Sequence, residues 1–365
     1  MKPDRRLNIL ICPLEWGLGH SGRMIPLARK LQERQNNLFI GAGKEHQSFF
    51  RNELSGITYI DFQGFKTDYS RFLPQYIALL LKMPLLFYHT IAEHFKLKKI
   101  IKDYKIDIVI SDNRMGLWNR RIKCVYVTHL PVVPFPEKLV YLEWIGILFH
   151  RYFIRKYTFC FIPDLPGETN LTGRLTHNLK LPGNTRFIGI LSRFSSGVTF
   201  TENKSGFVHN TIILSGPEPQ RSILRQRLVR ILNDSDRPTV ILEGKPGRND
   251  GPVRTGSIIS CNHLPPDKMQ NIITGSEVVI TRSGYTTIME LISLNCSALL
   301  IPTPGQTEQE YLAKYLSLKG WFTTMTQKSI REGVPLSSGK TIWPSEMIFE
   351  SRELLEKALD ELLNQ

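Results

Sequence analysis

The chain has 365 residues, 41% hydrophobic and 22% charged, which is the composition of a globular protein long enough for two domains. It contains no run of about 18 uncharged apolar residues, and its five cysteines lack CxxC or zinc-finger spacing, so a membrane-spanning helix, a disulfide framework and a structural zinc site are not expected. The net charge of +14 lies in residues 1–195, which carry 29 Lys plus Arg against 15 Asp plus Glu, whereas residues 196–365 carry 18 of each.

The first half of the chain alternates short apolar runs with longer amphipathic ones. Strands are predicted at LNILICPL, NLFIGAG, ITYIDF, IDIVISD, CVYVTHL, TFCFIPD and NTRFIGIL, and helices at SGRMIPLARKLQERQ and over residues 73–104. The first apolar run is only about seven residues long and leads into a glycine-rich turn, which favours a strand over a signal peptide. This alternation predicts an α/β fold with a parallel, doubly wound sheet.

A polar stretch, SRFSSGVTFTENKSG at residues 192–206, is interpreted as a linker. A second strand and helix series follows it, from NTIILSGPEP through PTVILEG, SIISCNH and EVVITRSG to SALLIPTP. The predicted organisation is a domain at residues 1–195, a domain at residues 196–345, and a final helix at residues 346–365 that crosses to the first domain. Two such sheets leave a cleft, and ligands of open α/β sheets bind at the carboxyl ends of the strands.

A glycine-rich turn, residues 17–23, joins the first strand to the first helix. The turn permits a ligand to approach the backbone at Gly19, and the helix start offers free N–H groups. His20 is placed to take a proton from an acceptor hydroxyl, although a local capping role is the alternative. The glycines fit GxGxxG, but the acidic residue of a dinucleotide site is missing after the second strand. Arg23 is assigned to the acceptor side.

Two further motifs end strands that face the predicted cleft. SDNR follows IDIVI, and Thr128-His129 ends CVYVT. Asp112 is placed to orient an imidazole, and Asn113 and His129 to contact the acceptor. Each of these residues can equally be an ordinary turn residue with its hydrogen bonds satisfied locally.

The turn SGPEPQR, residues 215–221, lies between a strand and a helix in the second half. Its backbone amides at Gly216 and the Ser215 hydroxyl can hold a diphosphate, and Arg221 can stabilise the charge that develops there. The sequence GxxxxGK[ST] is absent, so ATP hydrolysis is not expected.

The most informative segment is residues 277–309, EVVITRSGYTTIMELISLNCSALLIPTPGQTEQ. A strand ends in Arg282 and Ser283, and a helix begins near Gly284 and Tyr285, which places amides at its positive end, where phosphates bind.

Two acidic positions complete this segment. Glu290 lies one to two turns into the helix, and a carboxylate there can accept both hydroxyls of a ribose. In the loop that follows the next strand, the Glu308 carboxylate and the Gln309 amide suit the hydroxyls of a hexose. The alternative is ordinary α/β packing with a polar loop.

These motifs resemble family 28 glycosyltransferases, which include the peptidoglycan N-acetylglucosaminyltransferase and the plant galactolipid synthases. The similarity covers residues 262–321, where TRSGYTTIMEL and IPTPGQTEQ match the family's C-terminal domain. Gly19 and His20 match its glycine-histidine turn, and Arg193 matches an arginine near its lobe junction. G-L-G-H-x-x-R, S-D-N-R and the Thr128-His129 pair also resemble a bacterial subgroup of this class. The chain departs from the family in the two prolines of SGPEPQ, each of which removes an N–H donor.

The resemblance implies a GT-B fold, with an acceptor-side first domain, a donor-binding second domain, a UDP-sugar donor and inversion without a bound metal or cofactor. The donor residues that the resemblance implies are Arg193, Ser215, Leu264, Ser283, Gly284, Glu290, Glu308 and Gln309. The residue pattern adds Gly216, Arg221, Arg282 and Tyr285. Leu264 would lie beside the base of the nucleotide, and His20 would be the catalytic base. The family's acceptor motifs are not recognisable, so the resemblance does not imply an acceptor.

The sequence therefore predicts transfer of a hexose or N-acetylhexosamine from a nucleotide sugar to a lipid-linked or glycan acceptor. A nucleotide-sugar hydrolase, an epimerase and a non-catalytic nucleotide-sugar-binding protein remain alternatives. A nucleic-acid partner is not expected, because no recognition helix, zinc finger or RNP pair occurs.

Two basic-flanked apolar tracts, residues 72–99 and 138–156, favour a cytoplasmic enzyme held peripherally on the inner face of the membrane. Trp144, Phe149 and Tyr152 are the residues expected to insert. Core helices with solvated ends are the alternative interpretation of both tracts.

Overall fold

The computed structural model describes residues 5–66, 75–194, 209–216, 218–233, 237–245, 251–262, 264–335 and 343–364. Most of the predicted linker, Pro217 of the predicted diphosphate turn and residues 72–74 of the first apolar tract lie outside the described residues. Within the described residues the chain forms two seven-stranded sheets. The prediction of two doubly wound sheets is confirmed.

The sheet of the N-terminal lobe is parallel throughout, with the order β3-β2-β1-β4-β5-β6-β7. Its strands are β1 (Asn8–Cys12), β2 (Asn37–Ala42), β3 (Thr58–Asp61), β4 (Ile108–Asp112), β5 (Lys123–Val127), β6 (Phe159–Ile162) and β7 (Thr185–Phe187). The strand order reverses between β1 and β4, so a crevice is expected at the carboxyl ends of these two strands. Asp112 is the last residue of β4.

The sheet of the C-terminal lobe has the order β10-β11-β9-β8-β12-β13-β14 and is parallel except where β10 pairs with β11. Its strands are β8 (His209–Ile213), β9 (Thr239–Leu242), β10 (Val253–Thr255), β11 (Ile258–Cys261), β12 (Ser276–Thr281), β13 (Leu299–Leu300) and β14 (Thr323–Thr324). The order reverses between β8 and β12. The motifs at Ser215 and Ser283 follow these two strands, so they lie at the second switch point.

Helices cover both faces of each sheet because the strands are apolar on both sides. The helices are α1 (Leu18–Glu33), α2 (Lys44–Glu53), α3 (Gln75–Asp103), α4 (Glu143–Ile154), α5 (Gln220–Leu232), α6 (Pro266–Thr274), α7 (Tyr285–Ser293), α8 (Thr307–Leu318) and α9 (Glu346–Asn364), with short 3-10 helices at Glu137–Leu142, Gly173–Leu175 and Ser329–Glu332. The largest apolar core joins the lobes and contains residues of α1, α2, α7, α8 and α9. A second core lies under α3 and α4, and a third under α5.

Helix α9 belongs to the C-terminal end of the chain but packs on the N-terminal lobe. Glu356 pairs with Arg34 at 2.5 Å, and Glu361 accepts two hydrogen bonds from Arg186 at 2.7 Å. Gly189 permits this crossing: its φ is +71°, and a Cβ there would lie 2.2 Å from Ser351 Cα. The backbone after β7 therefore touches α9 directly.

Among the helices of the described residues, none combines the length and the hydrophobicity needed to cross a bilayer. Helix α3 has 29 residues, but charged residues interrupt its apolar character.

Candidate functional site

The amino-terminal ends of α1 and α7 meet where the two lobes face each other. Helix α1 follows β1 through Gly17, and α7 follows β12 through Gly284. The Thr286 hydroxyl at the start of α7 donates to the Gly19 carbonyl at 2.9 Å. A Cβ at Gly19 would lie 3.3 Å from that hydroxyl, so glycine allows the close approach. The two switch points thus form a single site.

His20 and Asp112 form a hydrogen-bonded pair on the N-terminal side of this site. His20 Nδ1 lies 2.9 Å from Asp112 Oδ2, and Asp112 is fully buried at the end of β4. Burial alone would raise the pKa of Asp112, but Arg23 and His20 outweigh it, and the pKa lies below its ordinary value. Arg23 Nη2 also lies 2.9 Å from His20 Nδ1, but it already donates to Asp112 Oδ1, so we assign the Nδ1 proton of His20 to the ionised Asp112 carboxylate. The His20 side chain is 21% exposed, and its Nε2 has no hydrogen-bond partner in the part of the chain that is described.

Arg23 links this pair to a second histidine. Its Nε donates to Asp112 Oδ2 at 3.0 Å, its Nη2 donates to the other carboxylate oxygen, and its Nη1 lies 2.7 Å from His129 Nδ1. Because a guanidinium only donates, His129 Nδ1 accepts, and the ring proton resides on Nε2. Burial lowers the pKa of His129, which agrees with a neutral ring.

His129 in turn contacts the C-terminal lobe. Its Nε2 donates to Glu308 Oε1 at 2.8 Å, and its ring stacks on Tyr285 with centroids 4.2 Å apart. The Tyr285 hydroxyl donates to the Pro163 carbonyl. Two residues predicted to bind the donor, Tyr285 and Glu308, therefore contact the N-terminal lobe.

Arg193 bridges the lobes at a second point. Its Nε donates to Glu290 Oε1 at 2.8 Å, and its Nη1 donates to Glu53 Oε1 at 3.1 Å. Arg193 and Glu290 are each 8% exposed. The sequence predicted both residues for the donor site but not their pairing. It also gave no signal for Glu53 or Thr286, whose partners lie far away in the chain.

Several predicted donor residues use their side chains within the C-terminal lobe. The buried Arg282 donates to the carbonyls of Ile301 and Pro302 at 3.1 Å, and it also contacts Gln220 and Gln327. Burial lowers its pKa to about 9. The assignment of the Arg282 side chain to the donor is therefore corrected: it braces the loops that follow the strands.

Ser283 and Gln309 hold the polar loop in a similar way. The Ser283 hydroxyl donates to the Gln309 carbonyl at 2.8 Å, and Gln309 Oε1 accepts from Thr303 N at 2.9 Å. The Ser283 hydroxyl is thus already bonded, so the predicted diphosphate contact of this turn depends on its backbone amides. The amide nitrogen of Gln309 has no partner among the residues that the structure describes.

The remaining predicted residues occupy the edges of the site. Ser215 and Gly216 follow β8, and Arg221 pairs with Glu218 at 2.9 Å. Leu264 packs against the core that joins the lobes. Asn113 follows β4, and its side-chain oxygen accepts from the Tyr126 hydroxyl at 3.4 Å.

Comparison with known proteins adds a domain match and a fold match. Residues 266–335 match the glycosyltransferase family 28 C-terminal domain. No curated protein matches the sequence.

Solved glycosyltransferases share the architecture of nearly the whole chain. The kitacinnamycin glycotransferase is 12% identical, with a TM-score of 0.62 and coverage of 98% of this chain and 99% of that one. The spinosyn rhamnosyltransferase SpnG, complexed with thymidine diphosphate, is 12% identical, with a TM-score of 0.61 and coverage of 98% and 96%. MurG of Acinetobacter baumannii is 12% identical, with a TM-score of 0.55 and coverage of 99% and 100%. The domain match and the architecture support a glycosyltransferase: the chain has the GT-B fold, and residues 266–335 match the glycosyltransferase family 28 C-terminal domain.

Proposed function

We propose that the chain transfers a hexose or N-acetylhexosamine from a nucleotide diphosphate sugar to an acceptor hydroxyl, with inversion at the anomeric carbon. The observation that carries this proposal is the hydrogen-bonded His20 and Asp112 pair, which lies opposite the amino terminus of α7 in the matched domain. A proton acceptor and a diphosphate-binding helix end are the two parts that a direct displacement needs.

The donor diphosphate is proposed to bind the amides that follow Gly284 and those of Ser215 and Gly216. The first amides of a helix have no intrahelical partner, and their dipole favours a growing negative charge on the leaving group. The Glu308 carboxylate and the Gln309 amide nitrogen would hold sugar hydroxyls. The family resemblance favours uridine, and the thymidine diphosphate bound to SpnG makes thymidine the first alternative to test.

In the proposed reaction, His20 Nε2 takes the proton of the acceptor hydroxyl as that oxygen attacks the anomeric carbon. The bond from this carbon to the diphosphate oxygen breaks in the same step, and the electron pair leaves on the nucleotide diphosphate. Asp112 stabilises the imidazolium that forms. The helix dipole of α7 offsets the charge on the leaving group, whereas the charge of Arg193 is already balanced by Glu290 and Glu53.

The test is incubation with UDP-, dTDP- and GDP-sugars, followed by analysis of the sugar products. Release of nucleoside diphosphate only when an acceptor is present supports the proposal. Free sugar without an acceptor would instead identify a hydrolase, an altered hexose would identify an epimerase, and binding without turnover would identify a binding protein. A thermal shift reports binding independently, because ligand at 100 times its Kd stabilises the native state by about 2.7 kcal/mol.

Glu290 provides a sharper test of the donor site. Glu290 is proposed to accept hydrogen bonds from the ribose hydroxyls of the donor. Replacing Glu290 with Gln is expected to weaken UDP binding by about 1–3 kcal/mol, because the charged acceptor of these hydrogen bonds becomes a neutral amide. Titration calorimetry gives the affinity directly.

Glu53→Gln is the matched control for Glu290→Gln. It removes the other carboxylate that contacts Arg193 but no proposed donor ligand, so UDP affinity should stay near that of the wild type. If the wild type and Glu290→Gln bind UDP with equal affinity, a contact between Glu290 and the ribose is excluded.

For the acceptor side, we propose that the N-terminal lobe binds an anionic membrane, where a lipid-linked acceptor is reached from the cytoplasmic face. The support is an apolar outer face on α3, α4 and the 3-10 helix before α4. Its exposed side chains recur at helical spacing: Leu81, Leu85, Tyr88, Ile91, Phe95, Tyr141, Trp144, Ile145, Leu148 and Tyr152. The excess of basic residues in this half of the chain complements anionic lipid.

One residue expected to insert is placed differently by the structure. Phe149 is half-buried and packs on Phe87 of α3 at 5.6 Å, whereas Trp144 and Leu148 are 59% and 53% exposed. Leu148 thus takes the place of Phe149 in the proposal, because the packing of α4 on α3 turns Phe149 inward.

Replacing Trp144 and Leu148 with Ser is expected to weaken vesicle binding at least about tenfold, because burial of a large apolar side chain contributes about 1.5–3 kcal/mol. Flotation with vesicles of equal parts phosphatidylcholine and phosphatidylglycerol measures the bound fraction. Leu318→Ser with Phe349→Ser is the matched control on α8 and α9, where these side chains are 80% and 68% exposed. Equal loss in both variants, or no wild-type protein in the vesicle fraction, would contradict membrane binding by the outer face.

A further inference from the structure

A basic recess lies at the carboxyl end of α4, outside the glycosyl-transfer site. Its volume is about 540 Å³. It is lined by Arg151, Arg155, Tyr157, Lys180, Leu181, Pro182, Gly183 and Asn184. Three of these side chains are cationic and none is acidic, so the recess has an uncompensated positive charge.

The floor of the recess is held in place by its own hydrogen bonds. The Asn184 amide donates to the carbonyls of Ile154 and Tyr157 at 3.0 and 2.9 Å, and Arg151 donates to the Lys180 carbonyl. The side chains of Arg155 and Lys180 form no ion pair or hydrogen bond with any residue that the structure describes. These two cations are therefore available to a ligand, and a guanidinium suits a phosphate in particular.

The position of the recess excludes the donor diphosphate as its ligand. Residues 180–184 precede β7 and Arg155 precedes β6, so the recess lies at the amino ends of these strands. Asp112 lies at the carboxyl end of β4 in the same parallel sheet. The recess and the site around His20 are thus at opposite edges of the sheet.

The recess borders the apolar outer face. At about 100° per residue, Arg151 and Arg155 lie along one edge of the α4 stripe formed by Leu148 and Tyr152. The other edge of α4 faces α3, where Phe149 contacts Phe87. A bilayer that covered the outer face would bring its phosphates to this basic edge.

We propose that the basic recess binds the phosphate group of an anionic lipid headgroup. This inference rests on the membrane binding proposed above and adds a defined headgroup site to it. A soluble phosphate has the same chemistry, but the adjoining apolar stripe favours the lipid as its source.

The test compares two variants that lose the same charges. The recess variant carries Arg151→Gln, Arg155→Gln and Lys180→Gln. The control variant carries Arg120→Gln, Arg121→Gln and Lys102→Gln, which are exposed residues of the same lobe that do not line the recess. The single change Arg155→Gln is measured too, because that side chain has no contact that the fold needs, and thermal melting checks all three variants.

Binding is measured by flotation with vesicles of equal parts phosphatidylcholine and phosphatidylglycerol, and by calorimetry with inorganic phosphate. The recess variant should bind these vesicles about a hundredfold more weakly than wild type, the control variant less than about fivefold more weakly, and Arg155→Gln in between. Equal losses in the two triple variants would overturn the headgroup site while leaving membrane binding intact.

Unchanged vesicle binding by the recess variant, together with lost phosphate binding, would instead assign the recess to a soluble anion and overturn the lipid source. Absence of the wild type from the vesicle fraction would refute the membrane proposal and the headgroup site together. Failure of the wild type to bind vesicles is observed without any variant, so it is distinguishable from the outcomes that compare variants with the wild type.

Discussion

Replacing His20 with Ala is expected to lower kcat by about 10²- to 10⁴-fold, the usual contribution of a general base. Donor affinity should stay near that of the wild type, because His20 Nε2 is proposed to contact the acceptor and not the donor. Initial rates with a saturating donor, together with UDP binding by calorimetry, separate these two quantities.

The matched control for His20→Ala is His89→Ala. His89 is a half-buried histidine of α3 in the same lobe and packs near Phe65, outside the proposed site. Its replacement should leave kcat within about twofold of wild type, as expected of a residue that takes no part in the chemistry. A His20→Ala enzyme with wild-type turnover would remove His20 from the mechanism and would leave the displacement without a proton acceptor on this side of the site.

Replacing Arg23 with Met is expected to lower the free energy of unfolding by about 3–5 kcal/mol near pH 7, because it leaves the buried Asp112 carboxylate without its guanidinium partner. His129 Nδ1 would lose its donor in the same variant. Denaturant unfolding of the wild type and the variant measures the difference.

The loss in Arg23→Met should depend on pH. In the wild type the pKa of Asp112 is lowered, so its contribution to stability is present above the unfolded pKa of 3.8 and is lost as pH falls through the folded pKa. In the variant we expect burial to raise the pKa of Asp112, opposed only by His20, so that protonation relieves the unpaired charge. The stability gap between the two proteins should therefore be largest near neutral pH and shrink towards about pH 4.

A double variant separates the charge from the packing. Arg23→Met combined with Asp112→Leu removes both partners, so the combined loss should be smaller than the sum of the single losses. Additive losses would show that Arg23 contributes by packing alone and that the pairing with Asp112 is energetically minor.

The fold and the position of the site were predictable from the sequence because both depend on local patterns. Apolar runs that alternate with amphipathic helices specify parallel sheets. Asp112 at the end of a strand, and His20 and Ser283 in the segments that follow strands, are thereby brought to the carboxyl edges of the sheets. Neither prediction depends on which residues far apart in the chain are in contact.

Side-chain partners were less predictable, since they depend on contacts between residues far apart in the chain. His129 and Glu308 are 179 positions apart, and Arg193 and Glu290 are 97 positions apart. Arg282 shows the same limit. An arginine at the end of a strand gives the same sequence pattern whether its side chain binds a ligand or holds a loop in place by hydrogen bonds. Only the carbonyls of the neighbouring loops distinguish the two cases.

The crossing of α9 has a mechanical consequence for the lobes. Helix α9 lies against the N-terminal lobe, and Gly189 touches Ser351 of this helix directly. Together with the apolar core that joins the lobes, this contact is expected to restrict movement of one lobe relative to the other. Restricted movement would preserve the 2.8 Å contact between His129 and Glu308, which joins the two lobes beside the candidate site.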